Sequence, residues 1–585
     1  MTEASALVPP FVVVLAAAGV LPLLDRRMGH GLGLGAAVIA LTQAWVVPEG
    51  THLEVALFGF DVVLFHVDGT ARLMGIIFGL LGMAAVTYSW GSAAETTQTA
   101  FALGYVGTSL GAVFAGDWLV LVFFWELMAL TSTLLVWHHG GEAVRAGFRY
   151  ALLHGLGGTL LLGAIVWHYA EVGSFLFAAA PGGIADGAPA ALAALGIGVN
   201  VGFVGLHTWL PDTYPRPHVA ASVFLSVYTT KTGVYGMFRA FPEGHLWVAY
   251  MGSAMVVFGV TFALLQSDMR RLLSYHIQSQ VGYMVAGVGI GASLATAGAF
   301  EHVFNHILYK ALLFMAVGVV IYRTGVEDLY RLGGLWRQMP LTAGAFAVGA
   351  LSISGFPGFN GFISKEMVMD GALYAGHEGL WLLMLLGALG TFLSFIKLGY
   401  YVFLHGEATA DVRDATPGQA VAMVALSALC VLLGLAPDLL HALVPQTPAD
   451  LHHFGPTQLA KGFGLAGAAV VGFALAKPGL AALGTVRELE RVLHPAGFRA
   501  GRLVMLAVTE TFATVDGIVA GLAARSYAFG ADPVGWLERA RKRGRLPVKP
   551  SDDRSIVLIV RADVGQAVLL LVAVVTLLVA WLRLA

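Results

Sequence analysis

Runs of about twenty apolar residues recur along the chain from Leu7 to Leu582, separated by short polar or glycine- and proline-containing breaks. A run of that length is what a helix needs to cross the hydrocarbon core of a bilayer. The pattern therefore predicts an all-α polytopic membrane protein with roughly fourteen to sixteen spans in one membrane domain. The first four fall near 7–25, 31–48, 70–91 and 98–115, the fifth at 118–137 and the sixth near 147–169. After the Gly/Ala/Pro stretch AAAPGGIADGAPAA come the seventh (190–207), eighth (219–241), ninth (246–266), tenth (272–292), eleventh (296–322) and twelfth (340–374). The thirteenth and fourteenth take 380–404 and 417–436, one more lies near 463–484, and GQAVLLLVAVVTLLVAWL closes the chain.

Two of these spans are interrupted. The seventh runs into WLPDTYPRPH, where Pro211, Pro215 and Pro217 cannot sit in an unbroken helix, and the twelfth holds GFPGFNGFISKE, with Pro357 among glycines. Broken helices in two separate halves of a membrane chain point to an inverted-repeat transporter with its ion site near the midplane. Ordinary proline kinking is the competing explanation. After Pro437 the character changes, and a mixed stretch carrying RELERVLHPAGFR and WLERARKRGRLPVKPSDDR is expected to lie as an amphipathic segment along the membrane surface or a partner.

Composition agrees with the pattern. The 585 residues are 58% hydrophobic and 12% charged, with mean hydropathy +0.78, about half the charge fraction of a soluble domain. A net charge of −2 gives no reason to expect nucleic acid as a partner. The single cysteine, Cys430, excludes an internal disulfide and a cysteine-held iron–sulfur cluster. The start, MTEASALVPPFVVVLAAAGVLPLLDRR, has Glu3 and no early basic residue, and reads as a retained span and not a cleaved signal peptide. Arginines cluster at Arg26/Arg27, Arg145/Arg149, Arg270/Arg271 and Arg331/Arg337. The positive-inside rule makes those loops cytoplasmic and puts the N-terminus outside a cell (inner) membrane.

The chemistry lies in charges that the spans carry. In HVFNHILYKALLFMAVGVVIY, His302, His306 and Lys310 recur every four residues and fall within roughly 80° of arc on a helix. Titratable groups in file at that depth suggest a proton path, since they are costly and face a polar interior. Glu126 is the only ionisable residue from Leu119 to Trp137 and is too short to reach an interface. Lys231 is the only charge between Val219 and Phe238, and Tyr228, Thr229, Thr230 and Thr232 flank it. Lys365 and Glu366 follow the break in the twelfth span, Lys397 lies in TFLSFIKLGYYVFL, and Asn200 and His207 lie in VNVGFVGLHTWLPD. Lys365 also fits a loop lysine, and Lys397 a snorkelling one. Lysines, histidines and a glutamate along one polar axis can relay protons with no metal or redox cofactor, because a charge on one shifts the proton affinity of the next.

At these residues the chain resembles the antiporter-like subunits of respiratory complex I and, more closely, the D-type subunit of multisubunit Na⁺/H⁺ antiporters. The strings that carry the resemblance are FFWELMAL, LHTWLPDTYP, TTKTGVYGMFR, SDMRRLLSYHIQSQVGYM, FNHILYKALLFMAVG and GFPGFNGFISKE, which follow the family's order over 117–375. The resemblance implies a fourteen-helix core with two inverted five-helix repeats, 98–241 and 242–405, each a half-channel. These are preceded by N-terminal helices (1–97) and followed by C-terminal helices with the amphipathic segment and a final span (406–585). It also implies that Glu126, Lys231, His302, His306, Lys310 and Lys365 transfer protons, supported by Asn200, His207 and Lys397. Asn200 departs from the pattern, since many relatives place a lysine there as the partner of the span-five glutamate, and Gly205 replaces a common proline. Glu126 is accordingly expected to pair with Lys231.

The leading expectation is a subunit of a multisubunit cation (Na⁺)/proton antiporter that works with other membrane subunits and protons and is not itself an enzyme. A proton-pumping subunit of an NADH dehydrogenase or membrane-bound hydrogenase would share the same core. An energy-coupling subunit for a substrate such as inorganic carbon is a third reading, with the substrate chemistry on a partner, because this chain has no Cys/His zinc constellation. A haem enzyme is a fourth, disfavoured because His302 and His306 sit on one helix and there is no CxxCH.

Overall fold

Helix starts in this chain are written by short acidic or hydroxyl side chains at the ends of apolar runs. Asp25, Asp68, Asp117 and Asp268 each accept backbone N–H groups of the first turn that follows, and Thr416 forms a capping box with Gln419. The computed structural model describes residues 8–408, 411–448, 451–482 and 490–542. The predicted last span, 565–582, lies outside the described residues.

The chain forms two units, residues 1–487 and 488–585. In the first, α1 (Pro10–Val20) and α2 (Arg26–Val46) lead to an antiparallel hairpin, β1 (Gly50–Leu57) and β2 (Phe60–Val67). Then come α3 (Gly69–Gly91), α4 (Thr96–Val113), α5 (Trp118–Trp137), α6 (Glu142–Val172), α7 (Ala188–Val201), the short α8 (Trp209–Thr213), α9 (Val219–Leu225) and α10 (Tyr228–Ala240). The later half has α11 (Leu246–Leu264), α12 (Met269–Ile290), α13 (Ser293–Thr324), α14 (Pro340–Ser354), α15 (Asn360–Tyr374) and α16 (Glu378–Gly399), the last running into a π-helical turn at Tyr400–Leu404. α17 (Pro417–Leu435), the one-turn α18 (Asp438–His441) and α19 (Pro456–Ala482) complete the unit. The second unit holds α20 (Glu490–Ala531) and α21 (Pro533–Lys542).

Among the described residues, ten helices are long and apolar enough to cross a membrane, and α1, α7 and α14 are shorter apolar helices. Successive spans alternate in direction, which sorts the connections onto two faces. On one, the basic face, Arg270 pairs with Glu327, Arg149 with Asp212, and Arg323 donates to the Asp414 carbonyl. On the other lies the hairpin, where Arg239 pairs with Asp68.

α13 is the pillar of the fold. Its apolar window is 94% buried, against 39% for α2 and 17% for α19, so its side chains meet protein on every side. α11 and α12 pack backbone to backbone. A Cβ at Gly282 would lie 2.5 Å from the Gly252 carbonyl oxygen, and one at Gly259 2.6 Å from the Ser279 nitrogen. Small residues at heptad spacing allow this approach where no hydrophobic effect drives helices together.

Both interruptions expected from the sequence are present, with different bounds. α7 stops at Val201 because Gly202 takes a left-handed conformation (φ 78°), before the prolines, and α14 stops at Ser354 with Gly355 at φ 81°. Span eight, expected to be continuous, is also broken, between α9 and α10 at Ser226–Val227, where no glycine or proline marks the sequence. The apolar pattern does not announce the hairpin. It extends the α4–α5 connection through His66 N–H to the Phe114 carbonyl and Gly116 N–H to the Val63 carbonyl. The mixed stretch after 487 holds a 42-residue helix, α20, whose 495–531 portion is long and apolar enough to span a membrane.

The tight α11–α12 seam sets a first test. Gly282→Ala should lower the thermal unfolding midpoint in detergent, by an overpacking cost of about 1–3 kcal/mol. Gly344→Ala, where nothing lies within 4 Å of the new Cβ, should leave the midpoint unchanged or raised.

Candidate functional site

A helix that ends inside a membrane leaves carbonyl groups without intrahelical partners and with the negative end of the helix dipole. In this fold lysines meet those carbonyls. Lys231 Nζ donates to the Ser226 carbonyl (2.7 Å), at the break between α9 and α10, and to Thr230 Oγ1 (3.0 Å). Lys365 Nζ donates to the Ile353 carbonyl (2.6 Å) at the end of α14 and lies 5.1 Å from the Tyr283 ring. Lys397 Nζ takes the Leu264 and Gln266 carbonyls (2.8 and 2.7 Å) where α11 ends. Each is at most 2% exposed.

The span-eleven file lies between these lysines on α13. His302 Nδ1 is 2.9 Å from Ser364 Oγ, beside Lys365, and its Nε2 is 3.3 Å from the Tyr309 hydroxyl. His306 follows, its ring 6.2 Å from that of His302 and 5.3 Å from that of Tyr309. Lys310 Nζ lies 5.9 Å from the Phe395 ring and, among the described residues, has no hydrogen-bond partner, as is true of both His306 nitrogens. His306 is within electrostatic reach of Lys231, Lys310 and Lys365, so groups from α10, α13 and α15 form one buried row. Asn305 and Asn360 clamp α13 to α15, each side-chain amide donating to an oxygen of the other residue at 3.1 Å.

The structure joins Lys231, His302, His306, Lys310 and Lys365 and leaves other expected members apart. Glu126 is on the exposed flank between α5 and α6, over Gly158, in a groove of about 320 Å³ lined also by Phe58, Phe123 and Leu162. The expected Glu126–Lys231 pair is absent: Lys231 is occupied by the carbonyl of the α9–α10 break, and Glu126 faces outward. Asn200 is fully buried, with neither amide atom partnered. His207 accepts the Gly205 N–H at Nδ1 (3.2 Å) and packs on Phe258. Lys397 is near the basic face. Glu366 is drawn from Lys365 into an ion pair with Lys461 of α19, which also reaches Asp370 at 3.3 Å.

Further polar groups belong to this core beyond those the sequence motifs mark. His276 on α12 is fully buried, packs against Phe395 with its ring tilted and lies within reach of Lys310 and Lys365; the polar run SYHIQSQ within a span is its signal. Next to Lys231, Thr229 joins the hydroxyls of Tyr105 (2.5 Å) and Tyr150 (3.1 Å), and Tyr150 meets Ser132 (2.9 Å). Glu301, the residue before His302, is fully buried as well.

A family model described as NADH:quinone oxidoreductase/Mrp antiporter, TM, matches residues 115–394, the segment that carries this row. The chain belongs to this family. It is 32% identical over 328 residues to a probable K(+)/H(+) antiporter A/B subunit of Rhizobium meliloti, covering 53% of this chain and 33% of that one. It is 28% identical over 418 residues to the Na(+)/H(+) antiporter D-type subunit of Alkalihalophilus pseudofirmus, covering 67% of this chain and 82% of the relative. The chain thus spans a third of the Rhizobium protein's length. The fold matches a chain of the Mrp complex from Dietzia sp. DQ12-45-1b (TM-score 0.67, 25% identity, 81% of this chain and 100% of that one). It also matches a chain of the membrane-bound sulfane sulfur reductase, an archaeal respiratory membrane complex (TM-score 0.68, 26% identity, 83% and 86%). The all-α antiporter-like fold that the sequence motifs implied is borne out.

The asparagine clamp is testable apart from any activity. Asn305→Leu should destabilise the protein by about 1–3 kcal/mol, because it leaves a buried amide of Asn360 unpaired. Adding Asn360→Leu should cost less than the sum of the single changes, as read from thermal unfolding midpoints of all three variants.

Proposed function

We propose that the chain is the proton-translocating subunit of a multisubunit cation/proton antiporter and that protons move among Lys231, His302, His306, Lys310 and Lys365. The observation that carries this reading is the row itself: three lysines and two histidines from α10, α13 and α15, all at most 2% exposed, with helix-end carbonyls as the partners of Lys231 and Lys365 and, among the described residues, no hydrogen-bond partner for Lys310. Without a paired carboxylate to fix its charge, each member responds to its neighbours, so a proton gained at one site repels the next. The halves 98–241 and 242–405 are then two half-channels, joined where His306 of α13 faces Lys231 of α10. Asn200, His207 and Lys397 lie outside this row and support it as buried polar groups. The arginine-rich face is cytoplasmic, with the N-terminus outside and the cell (inner) membrane between.

Lys231→Ala, Lys310→Ala and Lys365→Ala should each cut ΔpH-driven cation exchange by the assembled complex in everted vesicles at least about tenfold, a barrier change of about 1.4 kcal/mol. Leu312→Ala should not. Near-normal exchange in all three lysine variants would rule out this route. Membership of a respiratory complex is the second reading, favoured by the likeness to the sulfane sulfur reductase chain. Redox subunits co-purifying in place of antiporter subunits would select it.

The partner surface follows from Glu126. A carboxyl on an apolar flank at mid-span depth is costly unless another subunit covers it. Dicyclohexylcarbodiimide, which modifies protonated carboxyls in apolar surroundings, should label Glu126 strongly in the isolated chain and much less in the assembled complex, as read by mass spectrometry of the 118–137 segment. Equal labelling in both would show that no partner covers this flank.

A further inference from the structure

Glu301 is a buried carboxyl residue in the most enclosed helix of the fold. It stands eight residues from the start of α13, about 12 Å from the hairpin face, and its side chain is 1% exposed. One oxygen is bonded to Nδ1 of His441, on α18, and the other has no protein partner. The opposite ring nitrogen of His441, Nε2, is 2.8 Å from Nε2 of His453, just before α19, and the two rings lie 4.9 Å apart. His453 is 9% exposed, the next residue outward, His452, is exposed, and the exposed Asp438 is within electrostatic reach of both rings. Three titratable side chains, distant in sequence, are thus hydrogen-bonded in series from the hairpin face to the residue that precedes the first histidine of the buried row.

We infer that Glu301, His441 and His453 form a proton port on the hairpin face that connects the α13 file with the aqueous phase. The inference rests on the proton-transfer reading above. An imidazole bonded through both nitrogens is suited to the task, because a proton accepted at one nitrogen releases the proton held at the other. A proton on His453 Nε2 passes to His441 Nε2. The N–H bond at His441 Nδ1 then breaks as an O–H bond forms at Glu301, and the reverse sequence returns a proton to solvent with no oxidant or reductant involved. Burial opposes charge on His441, but the hydrogen bond to Glu301 and the charges of Glu301 and Asp438 outweigh it and raise its pKa, while burial and the charge of His441 lower that of His453 to about 4. Among the described residues no three His, Cys, Asp or Glu side chains converge on one point as metal ligands do, and this group is a chain and not a cage.

The test uses the assembled complex in proteoliposomes, with ΔpH-driven exchange as the readout. Glu301→Gln keeps an acceptor for His441 but cannot carry a proton, and His453→Ala removes the outermost ring at a site near solvent. Both should lower exchange at least about fivefold with the thermal midpoint and subunit content unchanged, and added imidazole should restore much of the rate in His453→Ala, which a purely structural ion pair does not predict. Wild-type exchange in Glu301→Gln and His453→Ala, alongside loss in Lys310→Ala, would overturn the port and leave the proposed function standing. Wild-type exchange in all three would overturn the proposed function itself. Loss of exchange accompanied by a lowered thermal midpoint, without imidazole rescue, would assign the group to anchoring the 436–455 connection and overturn the port as well.

Discussion

The structure depends on how an ammonium group is kept inside a membrane. An unpaired buried charge costs several kcal/mol even after relaxation, and this chain meets that cost with main-chain carbonyls released by stopping helices early. Lys231, Lys365 and Lys397 each take a carbonyl at a helix end or break. A carbonyl compensates a positive charge but does not titrate, so it supports a lysine without competing for its proton. Lys310 lacks even this support and has only the Phe395 ring near its Nζ. Its charge is therefore governed by His306, His276 and the neighbouring lysines, which makes it the member of the row most dependent on the others.

Interrupted helices are weak points, and the surrounding packing holds them. α13 runs unbroken for 32 residues, about 48 Å, past the breaks of both halves. It is fixed to α15 by the Asn305–Asn360 clamp, which sets the register between His302 and Ser364. α11 and α12 close on each other through glycines that leave no room for a side chain. The rigid pair and the long pillar hold the loose ends of α14 and α9 where their carbonyls meet lysines.

How much of this was legible depends on the range of the interaction that carries it. Spans are local, and apolar runs placed them closely; the breaks after α7 and α14 are local too, written in glycine and proline. The break at Ser226 carries no such residue, because it is held by a lysine five positions on and by packing from other helices, so a pattern-based reading takes 219–241 as one helix. The row Lys231–His302–His306–Lys310–Lys365 was visible because a charge within an apolar run is rare. Which way each side chain points was not: Glu126 stood out as strongly as Lys231, yet one faces the flank and the other the core. His441 and His453 lie in an ordinary-looking connection, and only the fold brings His441 to Glu301, 140 positions away in sequence.

The outward turn of Glu126 and the neutrality of Asn200 explain each other. Position 200 carries no charge, Lys231 is taken by the Ser226 carbonyl, and at 100° per residue Ser132 lies about 120° round α5 from Glu126. It is Ser132 that reaches the core, joining Tyr150, Thr229 and Tyr105 in a hydroxyl network two residues from Lys231. Hydroxyls donate and accept equally well and so pass a proton without holding one. In the first half of the molecule the groups that meet the buried lysine are thus uncharged, and the carboxylate that the motif supplies is left on the surface. The second half, by contrast, has Glu301 and Glu366 held by His441 and Lys461, and so carries these acidic groups and their partners within one chain.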